Sequence, residues 1–128
     1  MPPPFAGLWA EFVAPAAVAE ALPLLASRGL AVNLAWKVTD PAEDARWALV
    51  DAAERAGVEV RPWLLLAEDD GYWAGADNAK VFAAAATSLT RAWVARGHAP
   101  TTLVVDLEPA HGRVMALETA LRRRPPDL

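Results

Sequence analysis

The chain has 128 residues, a net charge of −4, no cysteine and six tryptophans, with 55% of its residues hydrophobic. That length predicts one domain, residues 1–128, with enough chain to bury a core. The absence of cysteine excludes disulfides, thiolate catalysis and cysteine-based zinc sites. The acidic balance, with basic residues scattered apart from Arg122, Arg123 and Arg124, leaves no electrostatic footprint for nucleic acid.

The N-terminal stretch "MPPPFAGLWAEFV" has no basic region followed by an apolar core, and no run of about 18 apolar residues follows it. The expectation is a cytoplasmic protein without membrane contact, or a secreted one if an export signal has been removed. Strands are predicted near 6–12, 30–37, 58–66 and 102–107, and helices near 15–28, 41–56, 78–96 and 110–123. Three helices should close on Gly29, Gly57 and Gly97, because glycine tolerates the left-handed backbone that ends a helix. Asp40 with Pro41, and Asp77, read as helix starts. Pro23 inside the first helical pattern predicts a kink or restart there. His98 reads as a helix C-cap, and Trp36, Trp47 and Trp93 as helix–sheet packing.

Strands that alternate with helices imply a parallel sheet with its sites at the C-terminal strand ends. Side-chain alternation then separates two faces. Val32, Leu34, Trp36, Val58, Val60 and Leu64 share an apolar face. Trp9, Glu11, Asn33, Lys37, Arg61 and Trp63 fall on the other, with Asp106 and Glu108. An open sheet covered on both sides should be apolar on both, whereas the inner face of a barrel can carry charge. The predicted fold is therefore α/β, a (βα)4 half of a TIM-type (β/α)8 barrel, with an open parallel α/β sheet as the alternative. A complete barrel needs about 250 residues. Four units should thus associate as a homodimer, or pair with a missing C-terminal half.

The fourth predicted strand ends in "LVVDLEP", which sets Asp106 and Glu108 two residues apart on one face. General acid catalysis at a glycosidic oxygen needs a carboxyl group perturbed by burial or by a second carboxylate, and a D-x-E strand end provides the second one. The stretch resembles the fourth-strand signature of (β/α)8 glycoside hydrolases, as in families 18 and 25, and its E-P step is similar to the N-E-P of the large retaining-glycosidase clan. The earlier acids of the D-x-x-D-x-D-x-E pattern fall here on Thr101 and Val104, and the Asn of N-E-P on Leu107. The resemblance implies that Glu108 is the general acid and Asp106 its tuning partner. A further carboxylate would come from Glu11, Glu68, Asp69, Asp70 or from outside the chain.

Glu68 and Asp70, followed by Tyr72 and Trp73, suit a carbohydrate, whose hydroxyls seek acceptors and whose apolar faces stack on rings. Trp9, Lys37, Glu11 and His111 complete the expected substrate-binding set. The two separated histidines give no metal site, and no nucleotide or cofactor motif occurs. Two further readings remain: a non-catalytic half-barrel that self-associates to complete a (β/α)8 barrel, and an open-sheet binding module.

Overall fold

The computed structural model describes residues 6–38, 43–100 and 102–123. The elements follow in the order β1 (Gly7–Ala10), α1 (Pro15–Arg28), β2 (Ala31–Lys37), α2 (Glu43–Ala56), β3 (Val60–Leu65), α3 (Ala79–Ala95) and α4 (His111–Arg122). Two short 3-10 turns, Glu68–Asp70 and Ala76–Asn78, lie between β3 and α3. The strands form an open parallel sheet in the order β1-β2-β3, with Trp9, Asn33 and Arg61 in one register row and Lys37 opposite Leu65. Gly29, Gly57 and Gly97 take positive φ where the helices end, as the sequence predicts.

The two faces of this sheet differ as the alternation requires. Ala10, Val32, Leu34, Trp36, Val60 and Leu64 belong to one core with residues of α1, α2 and α3. Within it Trp36, Trp47 and Trp93 pack ring against ring at centroid separations of 4.7–5.6 Å. Burying one such side chain contributes roughly 1.5–3 kcal/mol. His98 extends this cluster, since its ring stacks on Trp47 and its two nitrogens lie 2.8 Å from Asp51 and 2.9 Å from Glu54 of α2. The helix-capping role predicted for His98 belongs to its backbone, whose N–H donates to the Trp93 carbonyl. On the opposite face a second cluster joins Ala35, Trp63 and Leu65 to Tyr72, Trp73 and Val104, without a helix residue.

Several predicted boundaries change. β1 stops at Ala10, and α1 continues through Pro23 without a restart, held by buried Leu22 and Leu25 on either side. Asn78, not Asp77, stands at the start of α3, and Asp77 instead forms an ion pair with Arg113 at 2.7 Å. Asp40 and Pro41 lie outside the described residues.

The fourth predicted strand is reduced to two isolated bridges, Trp63 with Val104 and Ala74 with Leu107. Pro62 explains much of this. A strand residue points its N–H and C=O to the same edge, and the Pro62 carbonyl accepts from Val104 N–H at 2.9 Å. On that edge Pro62 has no N–H to give in return. Farther along, Leu66 N–H donates to the Tyr72 carbonyl at 2.8 Å, so a loop occupies the place a fourth strand would continue into.

Candidate functional site

The loop from Ala67 to Asn78 builds the wall of a cleft at the C-terminal end of the sheet. Ala67 carbonyl accepts from both Asp70 and Tyr72 N–H, at 3.0 and 3.1 Å. Gly71 has φ 101° and Tyr72 has φ 64°, a conformation rarely held by a non-glycine residue. Asn78 keeps it in place. Its side-chain N–H groups donate to the carbonyls of Asp70 and Trp73, and its oxygen accepts from Gly75 N–H, each at 2.8 Å. A methyl group at Gly71 would sit 2.6 Å from the Asn78 nitrogen, so glycine is required there by space as well as by φ.

Held in this way, the Tyr72 hydroxyl donates to a Glu11 carboxylate oxygen at 2.8 Å. Burial, then the bond to Glu11 and the negative charge of Glu11 and Glu68, push the Tyr72 phenol well above the usual tyrosine range. Tyr72 is thus a neutral donor that orients Glu11. Lys37, at the end of β2, pairs with Glu68 at 3.4 Å and lies 5.5 Å over the Tyr72 ring. Trp73 and His111 stand beside Tyr72, with ring centroids 5.1–6.1 Å apart across the three pairs.

A cavity of about 400 Å³ brings together Glu11, Lys37, Glu68, Tyr72, Trp73 and His111, six of the residues expected to bind substrate. A second cavity, about 630 Å³, holds Trp9, Trp63 and Asp106 and shares Glu11 and Phe12 with the first. Trp9 meets Trp63 edge to face at 4.8 Å. The two cavities are therefore parts of one cleft, and Glu11 stands at their junction. Such a cleft presents acceptors to hydroxyls and ring faces to apolar surfaces.

The structure separates the remaining predicted residues. Glu108 is exposed and lines a further cavity, beside Gly75, Ala79 and Phe82, which adjoins the Trp9 cavity at Val105, while Asp106 faces the cleft. Asp70 turns toward a groove between Trp36 and Ala85. Sequence reasoning missed Asn78 and Arg46. An Asn that closes a glycine-containing loop before a helix is the signal for Asn78. Arg46, on α2, is buried among the cleft residues and lies 5.5 Å from the Trp36 ring, and no local pattern announces it.

Among the described residues, no group of three or more His, Asp or Glu side chains is placed to hold a metal ion, and no helix is long and apolar enough to cross a membrane. No family model, no curated protein and no solved structure matches the chain.

Proposed function

We propose that the chain is a glycoside-hydrolase-like, carbohydrate-active half of a (β/α)8-type barrel, with its sugar cleft at the C-terminal end of the sheet. The observation that carries this reading is Glu11 at the junction of two adjoining cavities, one lined by Asp106, Trp9 and Trp63, the other by Glu68, Tyr72 and Trp73. The half-barrel architecture is supported by a core that gathers α1, α2 and α3 on one face and leaves the polar face to the cleft.

Hydrolysis of a glycosidic bond takes two carboxyl groups facing one sugar. Asp106 and Glu11 line one cavity and fill these roles in this reading, with Tyr72 fixing Glu11. Glu108, the proton donor implied by the glycoside hydrolase resemblance, lines the cavity beside α3. Replacing either cleft acid, Asp106→Asn or Glu11→Gln, is expected to lower turnover across a glycan panel by about 100-fold or more. Glu108→Gln is expected to leave it within about threefold of the parent, since Glu108 lines the cavity beside α3 that adjoins the cleft at Val105 and not the one that holds Glu11 and Asp106. Loss of turnover in Glu108→Gln alone would reject the assignment.

A second reading, a non-catalytic half-barrel that completes itself with another copy, is favoured by exposed apolar residues at both ends of the fold. Phe12 (90% exposed) follows β1, and Leu107 (79%) and Leu117 (61%) lie on the last segments. Buried Asn33 Oδ1 and Trp63 Nε1, on the helix-free face, have no hydrogen-bond partner among the described residues. Light scattering separates this reading: it requires a dimer that Leu107→Glu dissociates, and a strictly monomeric parent removes it.

A further inference from the structure

The two parts of the cleft carry different charge. Around Trp9 and Trp63 the titratable lining residues are both acids, Glu11 and Asp106. Beyond Glu11, three basic residues converge: Lys37 from the end of β2, Arg46 from α2 and His111 from the start of α4. The acids there are engaged, and Lys37 shares in one of those contacts. Glu11 accepts from Tyr72, and Glu68 takes one of the three Lys37 N–H donors at 3.4 Å.

From this asymmetry we infer that the Lys37 end of the cleft selects an acidic sugar. The ligand is then a glycan with a uronate-type residue against Lys37 and a neutral residue against Trp9 and Trp63. This inference rests on the carbohydrate reading above.

The chemistry runs in both directions. A ligand carboxylate near Lys37 gains a charge-assisted hydrogen bond in a partly buried cavity, which is stronger than a neutral one. The same carboxylate placed at the Trp9 end meets Glu11 and Asp106 with no basic residue in the lining, whereas at the Lys37 end Lys37 offsets Glu11 and Glu68. Attraction at one end and repulsion at the other fix the direction in which the glycan lies. A neutral pyranose suits the Trp9 end, where indole takes its apolar face and the carboxylates accept from its hydroxyls. Lys37 is in this way a specificity-determining residue.

The test uses the full chain and tryptophan fluorescence. Di- and trisaccharides containing a uronic acid are titrated, each alongside its carboxyl-reduced neutral counterpart. The uronates are expected to bind about tenfold or more tightly than their reduced forms, the gain of one charge-assisted contact. Lys37→Gln should bring each pair to within about threefold, and Lys37→Arg should keep the preference. Reduced forms that bind as tightly as the uronates overturn the acid selectivity, a preference that survives Lys37→Gln overturns its assignment to Lys37, and both leave the carbohydrate reading standing. If neither member of any pair binds the folded protein, the carbohydrate reading itself falls.

Discussion

The two faces of the sheet are made from the same three strands and differ in almost every other respect. On the helix-covered face Val32, Leu34 and Leu64 are nearly inaccessible, and the Trp36, Trp47 and Trp93 rings interlock. Across the sheet, the residues between them in sequence are Asn33, Ala35, Lys37, Arg61, Trp63 and Leu65, of which Ala35, Trp63 and Leu65 are buried beneath loop residues Tyr72 and Trp73 rather than beneath a helix. Alternation along a strand separates a layer that makes stability from a layer that presents chemistry. The consequence is that equivalent substitutions on the two faces should have different effects.

The largest effect is expected on the covered face. Trp36→Ala removes a side chain that is 3% exposed and touches both other rings of its cluster. A loss of about 3–5 kcal/mol in urea denaturation is expected. A loss below about 1 kcal/mol would mean that the tryptophan cluster is not the centre of the core.

Next in size is Gly71→Ala, in the loop that serves the other face. The new Cβ meets the Asn78 nitrogen at 2.6 Å, at a residue with φ 101°. Strain of this kind costs about 1–3 kcal/mol. It should appear as a lowered melting temperature and a changed Tyr72 environment. An unaltered melting temperature would show that Asn78 does not hold the loop as the hydrogen bonds imply.

Tyr72 is the only tyrosine in the chain, so its titration can be followed without interference by phenolate absorbance. The fold raises its pKa through burial and the bond to Glu11, so the neutral form is favoured in the folded state. Such a group contributes stability that is complete below the ordinary tyrosine value of about 10 and is lost as the pH rises toward the folded value. Phenolate absorbance should therefore appear only above that ordinary range, or together with alkaline unfolding. Glu11→Gln should bring it to lower pH, and an ordinary titration in the parent would break the Tyr72–Glu11 pairing.

Much of this arrangement is legible in the sequence, for physical reasons that also set its limit. The glycines at 29, 57 and 97 and the alternation in β2 and β3 are local signals, and the parallel sheet with its two unlike faces follows from them. Pattern also groups Glu11, Lys37, Glu68, Tyr72, Trp73 and His111 near one strand end, where a cavity joins them. The fourth strand was not legible, because "LVVDLEP" is a good strand pattern whose pairing depends on a proline in another strand. Asp106 and Glu108 share a parity, but alternation places side chains only where a ladder holds the pleat. Here the Asp106 carbonyl accepts from Ala74 N–H at 3.2 Å, tying the segment to the loop, and the two acids line different cavities. Arg46 was invisible because a helix residue that reaches a strand-end cleft is set by tertiary geometry alone.

The smallest stability effect is expected where the comparison is sharpest, at Trp9. It is as large as Trp36 but 58% exposed, and its ring meets Trp63 edge to face at 4.8 Å. An aromatic pair of this kind is worth about 0.5–1.5 kcal/mol beyond area, and exposure places Trp9→Ala near the lower end. Urea denaturation should therefore register less than about 1 kcal/mol, several-fold below Trp36→Ala. Under the proposed carbohydrate reading its effect should fall instead on ligand binding, where a half-exposed indole beside two carboxylates would take a sugar ring. If Trp9→Ala is as damaging to stability as Trp36→Ala, the open face is a core still to be covered, and association through that face becomes the better account of its exposed apolar residues.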